Sequence, residues 1–372
     1  MNKWTNIFSI LGIVLIISAY FICQNHLGNN LPAETQTVDS ADSSTSNFVD
    51  GNSLALEILP TLDSSSFAKN QVWTGVFQLV WNDLANELNK EPIRFADPQP
   101  EMVTLLNKSL FSVKDLSASA YYKKLGLVSP ELKEEIEKGI WEKFREKSRI
   151  LDAFNWTPSP RAYFLYAMLK KDLEYVEKFD SLGYGSFKGS ENEVDYFGVT
   201  KSVAPKVKES VKVLFYNYED FAVALQTKTG DIIYLYNTNS DKTLAQLYTE
   251  MKLKANENKD KNDSLGLLDE FKAPKLDFAA KREFEELYGK EILPSRIKIL
   301  GATESVQFKI DEIGARVVAE AGVYAVALGG AIPQGRYFYF TGPYVLFIEE
   351  PGKQPYFAAY ISDVAALQQP ER

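Results

Sequence analysis

The stretch from Val306 to Asp363 constrains this chain more than the remainder does. It begins Val306-Gln307-Phe308-Lys309-Ile310, apolar and polar by turns, the pattern of a strand with one face buried. That strand ends at Asp311-Glu312-Ile313-Gly314. A run of small, weakly charged residues follows, with Gly322, Gly329 and Gly330 in it. Two apolar, aromatic runs come next, Tyr337–Phe340 and Tyr344–Ile348, divided by Gly342-Pro343, and a last strand runs from Tyr356 to Ile361. A strand therefore feeds a long, pliable loop that returns into a buried strand pair.

The loop begins with a strand-like alternation of its own. Counting by twos from the acidic turn gives Ala315, Val317, Ala319 and Ala321, all small or β-branched and none charged, while Arg316, Val318 and Glu320 occupy the other face. Such a segment can enter a sheet as a new strand without burying a charge, because alternate side chains meet the core. An Ala-rich stem of an ordinary hairpin loop fits the same residues.

The rest of the chain sets bounds. Its 372 residues suffice for one large domain or two ordinary ones, and 13% aromatics allow a sizeable core. A net charge of −9 without a basic cluster argues against a nucleic-acid partner. Lys3 is followed by an apolar run from Ile7 to Cys23, and neither Lys nor Arg recurs before Lys69. That asymmetry predicts a signal-anchor over residues 1–25, with the remainder outside the cytoplasm. A cleaved signal is the second choice. A lipoprotein signal at Cys23 is the third, with Ile22 where a small residue is wanted. Residues 26–50, rich in Asn, Ser, Thr and Asp, read as a flexible stalk, and residues 51–372 as the globular domain.

Cys23 and His26 are the only cysteine and histidine, and both precede that domain. The folded region thus has no internal disulfide, no Ser-His-Asp or Cys-His machinery and no histidine or cysteine metal site. No metal and no cofactor are expected. The scarcity of cysteine suits an exported bacterial protein that relies on its core alone.

The first third reads as helical. Ser64–Ser66 would cap a helix from Ala68 to Leu88, with Trp73, Phe77, Val80, Trp81, Leu84 and Leu88 on one face. Ser129-Pro130-Glu131 starts another, lined by Leu132, Ile136, Ile140 and Phe144. From Arg161 the texture changes to strands at Ala162–Leu169, Tyr196–Val199, Val211–Tyr216, Phe221–Gln226, Asp231–Tyr236 and Phe271–Phe278, with Thr229-Gly230 as a turn. Helices are expected over Thr243–Leu253 and Arg282–Tyr288, and a charged loop over Ala255–Asp263. The fold class is α+β.

This order resembles that of serpins over roughly residues 160–365. Ala162–Phe179 resembles the family's long central strand and its continuation, and Phe271-Lys272-Ala273-Pro274-Lys275-Leu276 the strand before the hinge. Glu312-Ile313-Gly314 resembles the hinge, and the Pro-aromatic strand and final strand follow. Departures are Tyr166-Ala167 in place of the family's Asn-Ala, Ala315-Arg316 at the hinge, and Ala359 for a glycine.

The resemblance implies a serpin-like fold with a helical N-terminal part, large mixed and antiparallel sheets, and an exposed reactive loop from Gly314 to Arg336. It further implies inhibition of a serine or cysteine protease by cleavage and insertion of that loop, in a monomer, with no catalytic residues of its own. The hinge would comprise Glu312, Gly314, Ala315, Val317, Ala319 and Ala321. The scissile bond would be Leu328-Gly329, with Tyr324, Val326 or Ala327 as substitutes for Leu328. The departures favour the alternative of a non-inhibitory binding or structural scaffold in the cell envelope.

An enzyme reading rests on three triplets. Ser66-Phe67-Ala68-Lys69, Ser190-Glu191-Asn192 and Lys228-Thr229-Gly230 resemble, in order, the motifs of penicillin-binding proteins. Ser66, Lys69, Ser190 and Lys228 would carry acyl transfer without a histidine. A helix start, a loop and a turn account for the same residues, and Ser190 and Lys228 leave little room for an intervening domain.

Overall fold

The structure is a computed structural model. It describes residues 49–368, apart from 97, 149, 204, 260–263 and 316–334, all within one compact unit, Ser46–Arg372. The expected anchor and most of the stalk lie outside the described residues. Among the described residues, no helix is long and apolar enough to cross a membrane.

The first part contains β1 (Val49–Asp50), β2 (Leu56–Ile58), β3 (Asn70–Thr74), α1 (Val76–Asp83), β4 (Arg94–Phe95), α2 (Glu101–Leu106), β5 (Tyr121–Leu127) and α3 (Pro130–Phe144). The helix expected from Ala68 is corrected here. Asn70–Thr74 is a strand, and the helix begins only at Val76. Long-range pairing overrides helical spacing, since Trp73 lies opposite Ala358 and Val72 opposite Ala359 in the last strand. The Ser66 hydroxyl caps no helix; it donates to Glu57 at 2.5 Å. In α3 the expectation holds: Ser129 Oγ accepts from Leu132 N at 3.2 Å, and Leu132, Ile136, Ile140 and Phe144 are buried.

The second part contains β6 (Ala162–Leu169), β7 (Leu173–Glu174), β8 (Asp180–Gly185), β9 (Val194–Val199), α4 (Pro205–Glu209), β10 (Val211–Asn217), β11 (Asp220–Gln226), β12 (Ile232–Asn237) and α5 (Leu244–Glu257). After these come β13 (Glu270–Pro274), β14 (Leu276–Glu283), β15 (Glu291–Leu293), β16 (Ile297–Ile310), β17 (Gly314–Ala315), β18 (Tyr337–Tyr339), β19 (Tyr344–Glu349) and β20 (Pro355–Ile361). Gly230 turns the β11–β12 hairpin at φ 88°. A reciprocal Thr243–Gln246 capping box starts α5, which runs on to Glu257, into the segment expected as a loop. The strand expected over Phe271–Phe278 is two strands in different sheets, parted at Lys275, whose N–H turns aside to Asp195 O. Arg282 and Glu283 end β14 opposite Glu304 and Thr303, so the expected helix shrinks to a 3₁₀ turn at Glu285–Leu287.

Among the described residues three larger sheets and a two-stranded one, β7 with β17, result, and the fold is α+β. The large sheet runs β1, β14, β16, β6, β5, with β15 and β4 extending it beside the start of β16. A second sheet runs β10, β11, β12, β19, β20, β3, β2, and a third β18, β13, β9, β8. The main core includes Leu165, Ala167, Phe77, Phe284, Val306, Phe308, Phe347 and Phe357. A smaller core on the other face of the large sheet joins the apolar side of α3 to Ala162, Phe164 and Tyr166, with Phe154 and Trp156 packed against it.

Candidate functional site: a hinge above a gap in the large sheet

The large sheet is zipped over half its length only. One edge of β16 is paired with β14 from Thr303 to Ile310 and with β15 at Ile297 and Lys298. The other edge pairs in parallel with β6 from Lys298↔Ala162 to Thr303↔Tyr166 and no further. Among the described residues, no ladder joins Glu304–Ile310 to Ala167–Leu169. The strands part at a fork just above Thr303 and Tyr166. Along the open length Glu304, Val306, Phe308 and Ile310 still face the core, and Ala167 and Leu173 do so from the other side.

The chain reverses at the top of this gap. Asp311 N donates to Gly314 O at 3.0 Å, and Ile313 N to Asp311 Oδ1 at 2.9 Å. Gly314 has φ 155°, and a Cβ there would lie 2.0 Å from Leu173 O, so the reversal requires glycine. Strand β17 then runs antiparallel to β7, with Gly314 opposite Glu174 and Ala315 opposite Leu173. Tyr175 N donates to Ile313 O at 3.0 Å and Phe179 N to Glu312 O at 2.8 Å. Both aromatics stand in a ring cluster with Phe197 and Phe271, which gives the hinge a rigid floor.

Two charge clusters flank the opening. Lys275 bridges Glu312 at 3.1 Å and Asp195 at 2.7 Å. Burial opposes the charge on Glu312, yet its own backbone N–H and the Lys275 ammonium outweigh it and hold the carboxyl below its ordinary range. Deeper, Lys171 reaches Asp231 at 2.5 Å and Glu350 at 2.7 Å, and lies 4.8 Å from the centre of the Tyr356 ring. For Glu350, burial is again overcome, here by Lys171, Lys353 and Ser117, and its carboxyl falls to about 2.

Of the residues expected at the hinge, Glu312 and Gly314 are here, and the Ala315 backbone pairs with Leu173. Val317, Ala319, Ala321, Tyr324, Val326, Ala327, Leu328 and Gly329 lie outside the described residues. The residues of the enzyme reading do not converge. Ser66 is held by Glu57, Lys69 by Asp363 at 3.2 Å, Ser190 by the same Asp363 at 3.1 Å, and Lys228 by Glu174 at 3.0 Å. Lys69 and Ser190 thus meet at one carboxylate, while Ser66 and Lys228 are engaged elsewhere.

Sequence reasoning missed Lys275, the Lys171 cluster and Glu304. Only Glu304 left a signal: extended back two residues, the apolar alternation of Val306–Ile310 puts a glutamate in the core row. It is 1% exposed. One oxygen accepts from the Thr74 hydroxyl, and the other has no partner among the described residues. Burial raises the carboxyl to about 8, against smaller downward pulls from Thr74 and Arg282.

No family model matches the chain, and no curated protein does. Among solved structures, it is similar to thyroxine-binding globulin in complex with thyroxine, at 12% identity and a TM-score of 0.41, covering 62% of this chain. The chain spans 64% of that globulin, less than two thirds. It is also similar to Serpin48 of the insect Tenebrio molitor, at 13% identity and a TM-score of 0.38, over 78% of this chain and 74% of that one. A third likeness is to the thermophilic serpin Tengpin in its native state, at 11% identity and a TM-score of 0.47, over 81% and 90%. Serpins are among the solved proteins to which this α+β chain is similar.

Proposed function

We propose that this chain inhibits a serine or cysteine protease by inserting its cleaved loop, Gly314–Arg336, into the gap between β6 and β16. One observation carries the reading. The last zipped row is Thr303 with Tyr166, and the first hinge row sets Asp311 beside Gly314 and Gly314 beside Glu174. Asp311 lies eight residues beyond Thr303, and Glu174 eight beyond Tyr166, so the two edges stay in step across the gap. A strand continuing from Gly314 keeps register with both edges at once.

In that register an inserted strand would set Ala315 between Ile310 and Leu173, Val317 between Phe308 and Lys171, Ala319 between Val306 and Leu169, and Ala321 between Glu304 and Ala167. The small residues would then fall on the core face, and Arg316, Val318 and Glu320 would face outward beside Lys309, Gln307 and Ser305. Gly322 would reach the fork. New main-chain pairing and burial would supply the free energy that distorts a bound acyl-enzyme. Leu328 would fit an apolar primary pocket. A tether formed by residues 1–50 would hold the domain, residues 51–372, outside the cytoplasm.

A second reading is a scaffold that does not inhibit. What favours it is the packing of Phe154, Trp156 and α3 over Phe164 and Tyr166 on the zipped half, which resists insertion beyond Gly322. Thermal unfolding of the full chain before and after limited cleavage within 322–335 decides the matter. A large rise in Tm after cleavage, together with a stable complex with the attacking protease, is expected of an inhibitor. A small rise without a complex identifies the scaffold, and no rise ends the insertion reading.

A further inference from the structure

We propose that Glu304 is a pH-sensitive latch at the fork: neutral, it lets the core row close around it, and ionised, it loosens the rows above Thr303. Only the link to loop entry rests on the insertion reading; the latch itself is a property of the sheet.

The geometry is that of a carboxyl with no place for a charge. Glu304 is the first core-facing residue above the fork, between Ala302 and Val306. Each element around it contributes a defined group. Strand β14 presents Arg282 directly across the ladder, and β3 presents the Thr74 hydroxyl. Ala302 and Val306 on β16 and Ala167 on β6 are apolar, and the buried residues of α1, packed on β6, carry no charge. Arg282 is the one charge that acts on the carboxyl, yet among the described residues it makes no ion pair with it: both terminal nitrogens are engaged elsewhere, and Nε is without a partner. Nη1 donates to Glu57 at 2.8 Å and Ile58 O at 2.7 Å, and Nη2 to Glu286 at 2.9 Å. An ionised Glu304 would therefore be a buried charge without a salt bridge, which is strongly destabilising.

The sign follows from the raised pKa. A closed sheet binds the proton more tightly than an open one, so its stability is full below about 4.5 and declines as pH rises to about 8. A displacement from 4.5 to about 8 corresponds to at most a roughly three-thousand-fold change in the closed–open equilibrium across that window.

The test is denaturant unfolding of the full chain from pH 5 to 9, for the wild type, Glu304→Gln and Thr74→Val. The wild type should lose stability with rising pH more steeply than Glu304→Gln. Thr74→Val should extend that loss to higher pH, because the hydrogen bond it removes favours the ionised form. Parallel profiles for wild type and Glu304→Gln would overturn the latch, whatever the loop does. In the same samples after loop cleavage, the rise in Tm should develop faster at pH 9 than at pH 6 in the wild type, and at equal rates in Glu304→Gln. Equal rates in the wild type would remove the latch from loop entry. Absence of the rise at every pH would refute insertion and leave the unfolding profiles to judge the latch alone.

Discussion

The two halves of the β6–β16 seam are made of similar residues and behave differently. Below the fork, Lys298–Thr303 pairs with Ala162–Tyr166, and the seam is covered on one face by the main core and on the other by α3 with Phe154 and Trp156. Above it, Glu304–Ile310 keeps its apolar row in the core but has no ladder partner on that edge among the described residues. Apolar patterning therefore does not decide whether two strands zip. What differs is the cover on the outer face and the presence of charge: the upper half contains Glu304, Lys171 with Asp231 and Glu350, and the Lys275 bridge. Strand pairing is favourable only where the groups brought in with it are satisfied.

The comparison can be broken from the zipped side first. Phe164→Ala removes a ring that is 2% exposed and packed on Phe154 and Trp156. A loss of about 3–5 kcal/mol is expected in equilibrium unfolding. A loss below ~1 kcal/mol would show that α3 does not clamp the seam. At the top of the open half, Lys275→Met strands Glu312 and Asp195, both mostly buried. About 2 kcal/mol should be lost, with faster proteolysis near residue 315 as the local readout.

Acid should destabilise the open half as alkali does, through a different group. The Glu350 carboxyl is held at about 2 in the fold, so its contribution is present above about 4.5 and is lost as pH falls from there toward 2. Glu350→Gln should flatten the acid limb of a stability–pH curve, and an unchanged limb would discard the Lys171 cluster as a stabilising element. The smallest effect on the intact protein is expected from Ala319→Asp, within about 0.5 kcal/mol. In that variant the rise in Tm after loop cleavage, and any inhibition, should vanish, because in the inserted register aspartate would face the core between Val306 and Leu169. Full inhibition by Ala319→Asp would sink the insertion model.

Local signals made much of this legible. Ser129-Pro130 and Thr243 cap α3 and α5 as their side chains demand, and the alternation of Val306–Ile310 marks the inner face of β16. Tyr344–Ile348 and Tyr356–Ile361 read as buried strands because they are central in their sheet. Where reading failed, distant partners decided. Val72 and Trp73 pair with Ala359 and Ala358, and no local pattern announces that. Arg282 is extended because Glu304 lies opposite, and Lys275 separates two strands because Asp195 takes its N–H. The chain reversal is legible in Asp311-Glu312-Ile313-Gly314, whereas the gap it overhangs is a relation between two strands and has no signature in either.

The place of the C-terminal hairpin has a consequence for how the molecule comes into being. Strands β19 and β20 lie in the middle of the second sheet, between β12 and β3, and Asn70 Nδ2 donates to Asp363 O across 293 residues of chain. During synthesis, β3 waits for β20, about 290 residues later, so the sheet cannot be completed piecemeal from its β2 end. Such non-local closure is slow and leaves apolar strands unpaired until β20 has been made. The nascent chain is therefore vulnerable to aggregation until β20 emerges. Truncations that remove as little as β20 should leave a chain that aggregates rather than a smaller folded domain.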